Sequence, residues 1–298
     1  MTIQKFNRRF KLTYQVNDEE ALIVRSPLTI EFDIQRSTAS SLNSAVIKIY
    51  NLSLKNRNLI FKSRTNLNNI TDRKYIILQA GYETALNKDS EMSVIFQGYI
   101  LEADSYREGN NVITYISAQD GGIGVYNSNI AKTFAGGLSL VDLFKQVVSE
   151  IDDVTLGKVG DIKGNIKTSA TLNGNAFYLL TNRYFSEKVF IDLGKINLMN
   201  LDEYIKTPFV PLITTKSGLI GTPRRQGNIL DITLMFEPRI QIQQLIEIKS
   251  SINPIWDGQY KVIGLKHQGT ISGAVGGDLT TNLQLYIGDK VNGELKGI

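Results

Sequence analysis

The chain of 298 residues has one histidine, His267, and no cysteine, and those two counts remove much of the chemistry open to a protein of this size. Without thiols there are no disulfides, thiolate zinc sites or cysteine nucleophiles. With one imidazole, a His-Glu-x-x-His motif or any other two-histidine metal site within the chain is excluded. A catalytic triad on His267 needs serine and aspartate partners that spacing does not supply; a strand histidine with a satisfied hydrogen bond is the expectation. Carboxylates sit side by side at Glu19-Glu20, Asp152-Asp153 and Asp202-Glu203. Adjacent side chains diverge on any regular element, whereas glycoside hydrolysis needs two carboxyl groups about 5 to 10 Å apart across a sugar. Asn87-Lys88-Asp89-Ser90-Glu91 spaces its carboxylates as calcium loops do but lacks the full loop pattern, and reads as a solvated turn. Gly121-Gly122-Ile123-Gly124 and the glycines near Gly276 have no Gly-Lys-Ser/Thr after them, so a turn between strands is expected at both, not a phosphate loop. The sequence therefore assigns no catalytic, cofactor-binding or metal site, and no cofactor.

Charge points the same way. The formal net charge of +4 is spread along the chain, with Arg8-Arg9 and Arg224-Arg225 as the densest pairs, and both read as solvated surface. No basic stripe interleaves with aromatic residues as a nucleic-acid groove requires. Hydrophobic residues make up 42% and charged residues 21%, ordinary for a folded chain long enough for two modest cores. The opening MTIQKFNRRFKLTYQV is basic without the apolar run of a signal peptide, and no run of about 18 apolar residues occurs. The expectation is synthesis in a cytoplasm, no export alone and no membrane contact.

The elements that would position any site are mostly strands. In LTIEFDIQR, Leu28, Ile30, Phe32 and Ile34 alternate with polar residues, as in an antiparallel strand wet on one side. Ala45 to Asn51, Tyr75 to Ala80, Val94 to Tyr106 and Asn111 to Gln119 follow as strands, with a short helix about Leu54 to Phe61 and a hairpin at Gly109-Asn110. A loosely alternating first segment runs from Phe6 to Val16. Near the other end, Leu230, Ile232, Leu234 and Phe236 share one parity of a strand that stops before Pro238. Ile246 and Ile248 mark a further strand, Asp257-Gly258 a tight hairpin turn, and Tyr260 to His267 and Asn282 to Ile287 two more strands.

Between these halves the period changes. Leu140, Leu143, Phe144, Val147, Val148 and Ile151 are spaced as one face of a helix, with Ser139 as its N-cap and Asp142 completing the cap. A second helix is read from Asn173 to Tyr184 after an Asn-Gly turn, and a hairpin from Val189 to Met199 about Gly194-Lys195. The fold class is mainly β (α+β): two β-barrel-like modules of similar topology separated by a mixed α/β insertion, at 1–120, 121–206 and 207–298. The similarity rests on an internal repeat, in which Phe96-Gln97-Gly98 through Gln119-Asp120 matches Trp256-Asp257-Gly258 through Gly288-Asp289.

The order of SGLIGTPRR (from Ser217), a strand ending at a proline, WDGQYKVIGLKHQG (from Trp256) and a closing alternating strand resembles the C-terminal module of phage tail baseplate hub proteins. AVIKIYNLS (Ala45 to Ser53), ILQAGYE (Ile77 to Glu83) and VIFQGYI (Val94 to Ile100) resemble the first module of that family. The resemblance implies a non-enzymatic structural virion protein of a contractile-type tail, with two tube-like barrels per subunit. It implies a homotrimer joining the hexameric tail tube to the trimeric central spike, with the tube protein, the spike protein and other baseplate proteins as partners. DNA would meet it only in passage through the lumen, and it would be made in the bacterial host cytoplasm and reside in the tail baseplate. Two alternatives stay open: a hexameric distal tail or tube-initiator ring, and a β-rich carbohydrate-binding module using Trp256 and the thirteen tyrosines.

Overall fold

Alternation with a period of two carries most of the chain into strands, as the pattern requires. The computed structural model describes residues 5, 7–15, 21–61, 74–83, 92–250, 253–274, 276–287 and 296–297; Glu19-Glu20, the segment Asn87 to Glu91 and Gly288-Asp289 lie outside them. The first module runs β1 (Arg8–Gln15), β2 (Ala21–Arg25), β3 (Ile30–Ser37), β4 (Ser44–Tyr50), helix α1 (Leu54–Ile60), β5 (Tyr75–Tyr82), β6 (Ser93–Glu108) and β7 (Asn111–Gln119). Their inward residues, Leu12, Ile34, Ile47, Leu78 and Ile116 among them, are buried in one core. β6 and β7 turn through Gly109-Asn110, where Gly109 alone takes a positive φ, +56°. Arg107 Nε donates to the Gly109 carbonyl (3.1 Å) and pins the turn.

The insertion has its own core. It contains α2 (Gly122–Asn127), β8 (Asn129–Phe134), α3 (Leu140–Val148), β9 (Thr155–Val159), β10 (Ala170–Asn175), α4 (Ala176–Leu179), β11 (Val189–Asp192) and β12 (Lys195–Leu198). Ser139 Oγ accepts from the Asp142 N–H (3.0 Å) and caps α3, whose Leu143, Phe144, Val147 and Val148 are buried. Three local readings change. Asn173-Gly174 lies inside β10, and Asn175 is the cap that starts α4, accepting from the Tyr178 N–H (2.9 Å); the helix then widens to a π turn over Leu180–Tyr184. The β11–β12 hairpin turns at Leu193-Gly194 (φ +49° and +70°), one residue earlier than the glycine alone suggests. Gly121, at φ +72°, is the N-cap and Gly122 the first residue of α2, so the pair opens a helix and not a turn between strands; a side chain at 122 would strike the Tyr99 ring.

After the two-residue β13 (Glu203–Tyr204), the last module runs β14 (Leu212–Ile213), β15 (Leu219–Gln226), β16 (Ile229–Met235), β17 (Leu245–Ile248), β18 (Gly258–Ile271) and β19 (Leu279–Tyr286); β20 (Lys296–Gly297) pairs with β13. Leu230, Ile232, Leu234 and Phe236 are buried, as their parity predicts. Asp257-Gly258 is not a tight hairpin turn. Residues 249–257 separate β17 from β18, and the Asp257 carboxylate accepts from the Ser250 N–H (2.7 Å), closing a wide connection.

The two modules follow one path. Across the sheet, β3-β4-β7-β6-β5-β1 and β15-β16-β19-β18-β17-β14 run in the same lateral order and the same chain order. They also share a register irregularity. β6 shifts between Ile100 and Glu102 against β7, and β18 between Val262 and Gly264 against β19. Just before the shift, Tyr99 faces Tyr75 and Gln119, while Lys261 faces Leu245 and Tyr286, so Tyr99 and Lys261 are equivalent positions. A β-bulge bends its strand and increases local twist, and here it sits at the same place in both modules. The repeat is therefore real in its strands, but its sequence alignment is two residues out: Gly98 matches Tyr260, not Gly258. The modules differ most at one end, where β1–β5 is antiparallel over eight residues and β14–β17 parallel over two; β15–β16 also carries an irregularity between Ile220 and Arg224 that β3–β4 lacks.

Candidate assembly surface

One thirteen-stranded sheet spans both modules, because β18 serves two neighbours along one edge. Its first residues pair with β17, from Ile248↔Gly258 to Leu245↔Lys261; the rest pair with β3, from Gly264↔Ser37 to Ile271↔Ile30. The joint is apolar beneath. Phe236 of the last module is buried in the first module's core with Ile271 and Leu279. Its ring meets Phe32 at 6.2 Å, Tyr82 at 6.0 Å and His267 at 5.3 Å, and Tyr82 Oη donates to its carbonyl (2.8 Å).

A buried guanidinium locks all three units at this joint. Arg36, 2% exposed, lies on the parity of Ile30, Phe32 and Ile34 and so points inward. Its Nε and Nη2 donate to the two Asp192 carboxylate oxygens of the insertion, both at 2.8 Å, and Nη2 also to Gln241 Oε1 of the last module (2.9 Å). Asn43 Nδ2 donates to the Ile191 carbonyl (2.8 Å) and to Asp192 Oδ1 (3.1 Å). Asp120, at the end of the first module, accepts from the Gly194 N–H (2.9 Å). Burial, with Asp192 nearby, pushes the Asp120 carboxyl up to about 7. A largely buried pair of this kind is weak grounds for net stability, but removing one partner strands the other charge.

His267 is fully buried in the same joint, with Nδ1 2.9 Å from Thr281 Oγ1, which also accepts from the Glu237 N–H (2.9 Å). Burial, reinforced by Arg36, pushes the imidazole down to about 3 and keeps it neutral. The expected hydrogen bond exists at Nδ1; Nε2 is buried without one among the described residues. Lys261 is likewise buried, its Nζ donating to the carbonyls of Leu201 and Glu203 and lying 5.5 Å from the Tyr286 ring. Burial lowers its ammonium to about 8 against the pull of Asp202 and Glu203.

The other face of the long sheet is polar. One straight row across the strands reads Ile220, Thr233, Asn282, Lys266, Gln35, Ser44, Gln119 and Tyr99. Charges on it alternate in sign: Lys266 pairs with Asp33 (2.8 Å) and Lys48 with Glu31 (3.3 Å). A depression of about 530 Å³ lies over the joint, lined by Gln35, Ser44, Asp231, Thr233, Lys266 and Asn282.

In each of the two described carboxylate pairs one member does structural work. Glu203 accepts from the Asp161 and Asn200 N–H groups, both at 2.7 Å, and Asp153 Oδ1 accepts from Tyr99 Oη (3.0 Å). Arg9 pairs with Glu83 (2.6 Å) and Arg8 Nη1 donates to the Gly277 carbonyl (2.6 Å), while Arg224 and Arg225 are exposed on β15. Trp256 packs half-buried against the last core. Among the described residues no three His, Asp or Glu side chains converge as metal ligands, and no helix is long and apolar enough to cross a membrane. The lock of Arg36, Asp192 and Gln241 escaped the sequence reading, although an arginine on the apolar parity of LTIEFDIQR was its available signal.

Solved structures of similar fold cover nearly the whole chain. A 43 kDa tail protein of a Shewanella oneidensis prophage has a TM-score of 0.61 at 9% identity, covering 96% of this chain and 99% of that one. A tail protein from Neisseria meningitidis MC58 has a TM-score of 0.60 at 10% identity, covering 94% and 96%. An E. coli component of the type VI secretion system, described as structurally similar to the T4 tail proteins gp27 and gp5, has a TM-score of 0.60 at 9% identity, covering 97% and 78%. No curated protein matches the sequence. The model of the baseplate hub gp41 family matches residues 9–271, from the first strand to the end of β18, and with that span the chain belongs to the baseplate hub gp41 family.

Proposed function

We propose that three copies of the chain close into the central hub ring of a tail baseplate, seating the hexameric tail tube on one face and the trimeric spike on the other. The observation that carries this is the pair of modules with one strand path and one bulge position, joined by a continuous ladder. Three such chains present six near-equivalent modules, which is what a ring needs to meet six-fold symmetry with three subunits. The units are taken as 1–120, 121–206 and 207–298, the insertion standing outside the ring of modules. The polar face lines the channel. Its opposite charges are paired within the sheet, so it offers phosphates no continuous basic track and lets DNA pass without holding it.

In this reading the protein is not an enzyme: its one imidazole is buried and neutral, and the Glu203 and Asp153 carboxylates are engaged structurally. It is made in the bacterial host cytoplasm and works in the virion tail, with the tube, spike and other baseplate proteins as partners. Electron microscopy of the purified protein tests the stoichiometry. Three-fold rings with six lobes around a channel are expected; rings of six copies would assign it instead to tube initiation, and a lone monomer would overturn the ring.

A further inference from the structure

The internal joint leaves half of its pattern unused. β18 is paired along both edges beyond its bulge, by β19 on one side and β3 on the other. Its equivalent, β6, is not. Beyond Tyr99 the β5-side edge of β6 receives only the Ile100 N–H to Lys74 carbonyl bond (2.8 Å), and among the described residues no strand pairs with the stretch from Glu102 to Glu108 on that side. At the other end of the sheet, β15, the equivalent of β3, pairs with β16 alone. Among the described residues, each chain thus shows one unpaired slot and one unpaired strand edge of the kind already joined inside it. Free edges of this sort template further pairing unless they are blocked.

We infer that β15 of one copy adds to β6 of the next, repeating between copies the β3–β18 joint found within the chain; this rests on the ring reading above. The equivalences set the register. Tyr99 matching Lys261 places Asp104 on Lys266, Ser105 on His267 and Tyr106 on Gln268. Through β4 and β16, Gln226 falls on Gln35, Arg225 on Ile34 and Arg224 on Asp33. Lys266↔Gln35, His267↔Ile34 and Gln268↔Asp33 are rungs inside the chain. The rungs between copies are therefore Asp104↔Gln226, Ser105↔Arg225 and Tyr106↔Arg224.

Charge supports this register independently. The internal joint carries a diagonal ion pair, Lys266 to Asp33 at 2.8 Å. The equivalent positions hold Asp104 and Arg224, the same pair with its signs exchanged. Both are exposed, and in the free chain Asp104 Oδ1 accepts only from its neighbour's Ser105 N–H (2.7 Å), while Arg224 makes no ion pair among the described residues. Glu102 and Glu108 lie on the same face of β6 as Asp104, while Arg107 and Arg225 sit on the opposite face of their strands. Pro223, which has no N–H for a ladder, falls within the irregular stretch between Ile220 and Arg224 and spares these rungs. The contact is head-to-tail, β15 to β6, so it propagates until the rotation closes a ring.

Because the chain has no cysteine, an engineered pair reports the register directly. Directly opposed Cβ atoms on neighbouring strands lie about 4.5–5.5 Å apart, close enough for a disulfide after a small adjustment. Ser105→Cys with Arg225→Cys in one chain is expected to cross-link the assembled protein into covalent oligomers on mild oxidation. Ser105→Cys with Arg224→Cys, one residue out of register, is expected not to. Asp104→Arg or Arg224→Asp alone should abolish rings while leaving the thermal melt unchanged, and the double exchange should restore them. If wild-type rings form but survive both single exchanges and the Ser105/Arg225 pair gives no cross-link, the joint is wrong and the hub reading stands. A wild-type chain that stays monomeric and uncross-linked at every concentration overturns both.

Discussion

The two modules are built on one ladder but filled with different chemistry. Tyr99 of the first is matched by the buried Lys261 of the second, and Ser105 by the buried His267. Arg36, which ties the first module to the insertion and the last module, is matched by Gly227, a turn residue at φ +59°. What persists between them is the strand path, the bulge and the inward parity, for instance Ile49 against Leu234. Backbone pairing needs no particular side chain at most positions, so a ladder tolerates such divergence as long as one face remains apolar. The difference also separates two kinds of joint. The internal one is secured by Phe236 and Arg36; the one proposed between copies would have neither and would rest on backbone rungs and exposed charges, so in that proposal it is the joint expected to open first.

The largest test of this equivalence is burial. Ile49→Asp and Leu234→Asp each place an unpaired carboxylate in a core, a cost of several kcal/mol out of a total domain stability of about 5–15 kcal/mol. Both should unfold their modules, whereas Thr233→Asp, on the polar face, should shift a thermal melt little. A melt in which Thr233→Asp is worse than Leu234→Asp would put the register one residue out.

Next comes the lock. Arg36→Met leaves the partly exposed Asp192 beside the buried Asp120 with no cation; breaking a fully buried pair from one side costs about 3–5 kcal/mol, and the 14% exposure of Asp192 puts the expected loss below that. Chemical denaturation measures the loss, and limited proteolysis should find the insertion cut first. An unchanged midpoint would mean that the three units do not depend on this contact.

The smallest effect is a pH slope. Asp120 holds its proton to about pH 7 in the fold, while an unfolded aspartate loses it near pH 4. Between those values the folded state binds more protons, so stability falls as pH rises through the window, by at most about 1.4 kcal/mol per pH unit for one proton. His267 acts oppositely: its imidazole is lowered from 6.5 to about 3, so stability is lost as pH falls through that range. Asp120→Asn keeps an acceptor for the Gly194 N–H and should remove the first slope while leaving the second. Denaturation midpoints across pH 4–8 with the same slope in both proteins would contradict the assignment.

Much of the fold was written in local pattern. Parity marked the inward residues of β3 and β16, and the 3.6-residue period with Ser139 and Asp142 marked α3, because both periods follow from backbone geometry within a few residues. The composition likewise limited the chemistry, since one imidazole and no thiol cannot be rearranged into a two-histidine or thiolate site. What local pattern does not encode is which distant segments meet. The turn at Leu193-Gly194, the wide connection before β18 and the two-residue offset of the repeat depend on partners across the sheet. The pairing of β18 with β3 brings together residues more than two hundred positions apart, and the inward arginine of β3 becomes a lock only because Asp192 and Gln241 arrive beside it. Burial then sets the charge states of Asp120, His267 and Lys261, which their residue types leave at ordinary values. Strands, faces and excluded chemistries follow from local composition and spacing, whereas the joint follows from the fold, because desolvation and edge pairing arise only when remote strands share one sheet.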